Sequence, residues 1–542
     1  MSVPADLVLR GGPVHTLAPA HSPATAVAVR AGKIIAVGGD AEVLPHIGPA
    51  TELVDLGGRA LLPGFQDAHV HPVFAGLTMI RCDLHGANDA DGAVAAVRAY
   101  AEANPDAEWI SGGGWSMEWF PGGTPSRHLL DQVVSDRPVH LINRDGHGAW
   151  VNTRALELAG VDAGTADPSD GRIEREPDGR PQGTLHEGAS HLVARHIPEA
   201  PPEAMLAGLR AGQRRLHAAG VTAWQDAMVH PDIQRAYLSA AESGLLTARV
   251  VGALWWDRER GPEQIPELLA RRGTAGRFRT TSVKIMQDGV AENYTAAMTS
   301  PYFDGCGCQT ANAGLSFVDP VALREYVSRL DAEGFQVHVH AVGDRAAREA
   351  LDAFEAARAA NGANDLRHHI AHLQVVHPDD IPRFAELGIT ANMQPLWAAH
   401  EPQMDELTIP FLGPEKAAHQ YPFAALAECG TSLAAGSDWP VSSPDPFLGI
   451  HVAVNRTPPG ETAEVFLPHQ RLSLTAALTS YTLGTARVNH LDTVTGTIEV
   501  GKLADLVVTD RDPYGIPVEE LGGTRVLATF VEGEQVHADP AW

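Results

Sequence analysis

The chain has 542 residues, more than one core of ordinary size fills, so a large barrel with a smaller companion domain is expected. Its 44% hydrophobic share is that of a globular protein, and its formal net charge of −27 argues against nucleic acid and anionic membranes as partners, because phosphate recognition needs basic patches. The only cysteines are Cys82, Cys306, Cys308 and Cys429, which makes a disulfide framework improbable and a reducing cytoplasm the default location.

Residues 1–6 show no basic region ahead of an apolar core, so no secretory leader is expected, and no apolar run reaches membrane-spanning length. The first ~60 residues then alternate as short strands separated by Gly-rich turns. The last ~45 residues carry the same pattern, in Asp505-Leu506-Val507-Val508 and Val526 to Val531. Neither piece holds a core alone, so residues 1–60 and 496–542 are expected to combine in one small β-sandwich. Between them, strand and helix patterns alternate. The apolar stretches 61–71, 221–227, 248–255, 281–287, 335–341, 367–373, 388–394 and 432–438 suit the wall of an α/β (β/α)8 barrel over 61–495. Residues ~83–215 are left over and read as an insertion over the barrel mouth.

The chemistry starts at His69-Val70-His71. On a strand, residues i and i+2 face the same way, so both imidazoles can reach one metal ion. Further ligand types fall at the carboxyl ends of other strands, where barrels place their active sites. They are Lys284, His338 and His340, His372, and Asp438. Cys306 and Cys308 are spaced too tightly for a usual zinc pattern.

Taken together, these residues resemble the amidohydrolase superfamily, and the flanking phrases resemble its YtcJ-like branch (amidohydrolase family 3), which includes N-substituted formamide deformylase. The phrases are Leu62-Pro63-Gly64-Phe65, Lys284-Ile285-Met286-Gln287-Asp288-Gly289, His340-Ala341-Val342-Gly343-Asp344-Arg345, Gly436-Ser437-Asp438-Trp439-Pro440 and Gly501-Lys502-Leu503-Ala504-Asp505. The resemblance implies that His69, His71 and Asp438 hold one divalent ion, zinc by preference, and that His340 and His372 hold a second. It implies that Lys284 bridges the two as N6-carboxylysine, since an ammonium has no lone pair to offer a cation; a single-metal site without the modification is the alternative. Ala371 departs from the family, which commonly has Glu before the sixth-strand histidine; this bears on ligand support rather than on the ligand itself. His338, His368 and His369 are read as packed or supporting histidines, and Asp344 with Arg345 as a structural pair.

The expected reaction is hydrolysis of an amide-type, N-acyl or N-formyl C–N bond in a small molecule. A metal lowers the pKa of bound water to about 7, and the resulting hydroxide attacks the carbonyl. Asp438 moves the proton to the leaving nitrogen, with Lys284 as part of the catalytic centre. Trp115, His147, Asp288 and Trp439 are expected at the substrate, with Trp397 as a weaker candidate. A carboxylic ester or carbamate is the rival substrate class, and a non-enzymatic barrel scaffold is the remote one. A homodimer is the expectation by base rate.

Overall fold

The computed structural model describes residues 3–19, 23–461 and 463–542. Met1 and Ser2, part of the stretch read for a leader, lie outside them. Eight parallel strands form the central wall: β1 Phe65–Val70, β2 Val221–Val229, β3 Arg249–Trp255, β4 Phe278–Met286, β5 Gln336–Ala341, β6 His369–His372, β7 Thr390–Met393 and β8 Leu433–Ala435. Each pairs with the next in sequence order. β8 returns to β1, where the Asp438 amide donates to the His69 carbonyl at 2.8 Å and the His71 amide to the Trp439 carbonyl at 3.0 Å. The barrel is thus nearly closed, and its seam lies beside the predicted ligands.

Side-chain alternation sorts each strand. On β5, Val337, Val339 and Ala341 join the apolar layer packed under the helices. Gln336, His338 and His340 point the other way, into the barrel, as period-two alternation requires. The apolar layer is continuous around the wall, from Phe65 through Trp224, Val283 and Ile370 to Phe447. Helix α1, Pro72–Met79, starts directly after His71, with proline at its first position, where no amide partner is needed. Helix α2, Pro202–Ala218, packs on α1 through glycines. A Cβ on Gly76 would lie 1.9 Å from the Gly208 carbonyl oxygen, and one on Gly212 would lie 2.3 Å from that of Pro72. The backbones therefore touch where side chains would hold them apart. Although most of α2 falls within the range read as insertion, it packs most extensively on this first barrel helix.

Strands from both ends of the chain pair into an eight-stranded sheet. Ala60–Pro63 joins the N-terminal strands to Leu506–Thr509 in antiparallel register. Arg249, at the start of β3, ties this sheet to the barrel through Asp505 and Glu532. Residues 82–187 build a separate six-stranded sheet over the strand ends, with its own cores around Trp115 and Leu185. Among the described residues no helix is long and apolar enough to cross a membrane.

Candidate metal centre

His69 leaves β1 toward the barrel axis, and His71 caps the start of α1. Both meet Asp438. Its Oδ1 lies 2.9 Å from His71 Nε2 and 3.3 Å from His69 Nε2. His372 arrives from β6, where Ile370 faces the helices and His369 the interior. Plain alternation would send His372 outward. Its left-handed φ of 78° marks the break in that pattern, and its ring lies 4.7 Å from His69 and 4.3 Å from His340, centroid to centroid. Asp438 is also left-handed, at φ 55°. Non-glycine residues in this region cost about 1–3 kcal/mol each and collect at functional sites, where the surroundings enforce them. Lys284 lies in register with His338 and is buried.

Potential ligand atoms of His69, His372 and Asp438 fall within 4.8 Å of one another. His372 Nδ1 and His71 Nδ1 are buried without a hydrogen-bond partner. The His340 Nε2–H donates to the Gly289 carbonyl at 3.2 Å, which leaves Nδ1 with a free lone pair. Burial lowers His69 from 6.5 to about 3, and lowers His340 and His372 well below 6.5, so all three are neutral donors of electron pairs. For Asp438, burial alone would raise the carboxyl, but the histidines beside it, with the His71 Nε2–H donating to Oδ1 at 2.9 Å, outweigh burial and hold it well below the usual carboxylate range. Neutral imidazoles around a carboxylate, with buried lone pairs unspent, are the donor set that zinc and similar divalent ions take. Burial also lowers the Lys284 ammonium from 10.5 to about 7, against the pull of Asp438 and Asp288.

A cavity of about 640 Å³ opens above the cluster, with His340, His372 and Asp438 at its base and Trp397, Trp439 and His147 among its walls. Trp397 stacks flat on His372, with 5° between planes. His147 reaches in from the inserted sheet, 5.5 Å from His340 between ring centroids. Its Nδ1 lies 3.0 Å from Glu187, a buried residue with φ 50°. Burial would lower His147, but the Glu187 carboxylate outweighs it and raises the imidazole to about 9.

Three expectations change. Trp115 is fully buried in the core of the inserted sheet, where its indole donates to the Leu141 carbonyl and its ring meets Trp150 and Phe120; it does not face the cavity. Asp288 is likewise sealed off. Its carboxylate accepts the backbone amides of Ala297, Val342 and Gly343, and so holds the loop after β5, 3.5 Å behind His340 Nε2. Asp344 and Arg345 do not pair with each other: Asp344 accepts from Thr299, and Arg345 donates to the Ala313 and Gly314 carbonyls. Glu187 was not singled out from the sequence, because one glutamate in an insertion without a motif gives no signal. Asp67 was missed too, although it stands between the first phrase and His69; it accepts the Ser437 and His69 amides and so braces both sides of the seam.

The amidohydrolase family model matches residues 52–537. The chain belongs to that family. It is 32% identical to Protein LONG AFTER FAR-RED 3 of Arabidopsis thaliana, over 98% of this chain and 92% of that one. Putative amidohydrolase YtcJ of Bacillus subtilis is 28% identical, over 98% and 99% of the two chains. N-substituted formamide deformylase of Arthrobacter pascens is 26% identical, over 97% of each. Among solved structures, an uncharacterized metal-dependent hydrolase of Pyrococcus furiosus superposes with a TM-score of 0.72 at 26% identity, over 94% of this chain and 99% of that one. The YtcJ-like resemblance of the flanking phrases therefore extends along almost the whole chain.

Proposed function

We propose that this protein is a metal-dependent hydrolase that cleaves an amide-type C–N bond, N-acyl or N-formyl, in a small molecule. The observation that carries the reading is the convergence of His69, His71 and His372 on Asp438, with His340 beside them, beneath one cavity whose base is His340, His372 and Asp438, with the Nδ1 lone pairs of His71 and His372 buried and unspent. A divalent ion held there, zinc by preference, supplies Lewis acidity and lowers the pKa of water to about 7. Lys284 completes the set once carboxylated. With burial lowering its amine to about 7, a large fraction is neutral near pH 7, the form that can take up carbon dioxide.

The protein's own groups do the rest. Asp438 accepts a proton on its carboxylate and delivers it to the leaving nitrogen. The imidazolium of His147, held by Glu187, donates toward the carbonyl oxygen, where negative charge develops. Trp397 and Trp439 give the acyl or amine substituent an apolar wall. The deformylase among the relatives favours an amide-type bond over an ester. The test is a panel of N-formyl, N-acyl, carbamate and ester compounds offered to zinc-loaded enzyme. Turnover of the first two classes that chelator abolishes is expected. Turnover of esters alone would move the substrate class, and no turnover with stoichiometric metal would end the reading.

A further inference from the structure

Beneath the metal centre the barrel is filled by polar side chains rather than apolar ones. Gln225, His338, His369 and Asn392 are wholly buried, and His69 is 1% exposed. They form a connected chain. His69 Nδ1 lies 3.0 Å from His338 Nε2, His338 Nδ1 lies 2.7 Å from Gln225 Oε1, and His369 Nε2 lies 3.0 Å from the same oxygen. His369 Nδ1 lies 3.1 Å from Asn392 Nδ2.

The direction of this chain follows from backbone groups whose roles cannot change. At the barrel floor, Gln336 Nε2 lies 2.9 Å from the Arg367 carbonyl and 2.7 Å from that of Val488. Carbonyls only accept, so that nitrogen donates to both and Gln336 Oε1 is left to accept from Gln225 Nε2 at 3.0 Å. Gln225 therefore turns its Oε1 toward the two histidines. A second route gives the same answer. The His372 amide can only donate, and it meets Gln394 Oε1 at 2.8 Å. Gln394 Nε2 then donates to Asn392 Oδ1, and Asn392 Nδ2 donates to the Ala68 carbonyl and to His369 Nδ1. His369 must then carry its proton on Nε2, again aimed at Gln225 Oε1. Two independent runs of fixed donors and acceptors thus agree that this oxygen accepts. His338 gives it the Nδ1 proton, and no carboxylate contacts His338 among its hydrogen bonds, so nothing there favours a cation. Its Nε2 is a bare lone pair and accepts from His69 Nδ1–H. His69 is left with a bare Nε2, the atom that faces Asp438 at 3.3 Å.

We propose that His338 is a positioning residue for the metal centre: fixed from below through Gln225, it locks His69 in the Nδ1–H tautomer and so presents Nε2 as a ready metal ligand. This rests on the reading that His69 is a ligand. Without the lock, His69 could carry its proton on Nε2 toward Asp438 Oδ1, and binding an ion would first require that proton to move.

The experiment measures zinc affinity of the metal-stripped protein by chelator competition, with apo thermal unfolding as the check on folding. His338→Leu removes the acceptor, and at least a tenfold loss of affinity is expected. His338→Gln restores an acceptor at nearly the same reach and should stay within about threefold of the parent. Equal affinity in the leucine variant, or equal losses in both, overturns the proposal. Should the leucine variant not fold, 15N-histidine spectra of the apo parent decide: the His69 signal, assigned by its absence in His69→Ala, is expected as Nδ1–H, and an Nε2–H signal overturns the lock. A parent that binds no zinc would instead sink the metal reading, while the same spectra still judge the tautomer.

Discussion

The barrel wall and the inserted sheet each bring a histidine to the cavity, His340 and His147, but they hold them by different means. His340 is placed by strand register and pinned by a backbone carbonyl, in an interior where burial strips histidines of charge. His147 is placed by a loop and pinned by a carboxylate that keeps it charged. One surface offers lone pairs and the other offers a proton. In the proposed reaction this becomes a division between binding a cation and stabilising an anion, made by what each ring was buried against.

The largest effect should come from the barrel side. Asp438→Asn is expected to lower kcat by about 10²–10⁴-fold with thermal unfolding nearly unchanged, since the proton carrier is removed and the volume is kept; near-normal turnover would refute its role. Next, His372→Ala should lose most of its bound metal, measured by elemental analysis, whereas His147→Gln should keep it and lose about 10–100-fold in kcat through the weaker contact to the developing oxyanion. Equal metal loss in both would erase the contrast between the two surfaces. Trp115→Ala should cost about 3–5 kcal/mol of stability, read by denaturant unfolding, because it empties the core of the inserted sheet. The milder Trp115→Phe should leave KM within about twofold, because Trp115 packs in that core away from the cavity.

The smallest effect is a pH window. His147 is raised from 6.5 to about 9, so its contribution to stability is complete below 6.5 and lost as pH rises through 9. Glu187 is lowered from 4.5, so its share is complete above 4.5 and lost as pH falls below that. The insertion should therefore resist proteolysis best between pH 4.5 and 6.5, and Glu187→Gln should flatten the profile. An unchanged profile in that variant would remove the pair from the account.

What the sequence disclosed follows the same division. The barrel ligands stand at strand ends, and period-two alternation is enough to aim His340 inward, whereas His69 shares its parity with the outward Phe65 and turns inward only past a register shift in β1. The parallel order of the eight strands was legible because strand and helix patterns alternate along the chain. His372 was found by its place at the end of the sixth strand, but the φ that turns it inward was not visible, because alternation alone points it the other way. In the insertion, Trp115 carried the expectation of a pocket residue because Gly112-Gly113-Gly114-Trp115 resembles a family phrase near the barrel mouth. Those glycines instead let neighbouring backbones close on it: a Cβ on Gly112 would lie 1.9 Å from the Cys82 carbonyl oxygen. Gln225 and Asn392 carried no signal at all. A buried amide matters through its partners, and those lie more than a hundred residues away for Gln225 with His338.

The seam of the barrel has a mechanical consequence. Most neighbouring strands are laced by a full ladder, but β1 and β8 meet through a few bonds near Asp438, and the two imidazoles of β1 and α1 face that carboxylate across the gap. An ion gripped from both edges acts as a rivet, fastening the start of the cylinder to its end. Stripping it should loosen the join before any other part of the wall, so the apo form ought to exchange amide hydrogens fastest along β1 and β8.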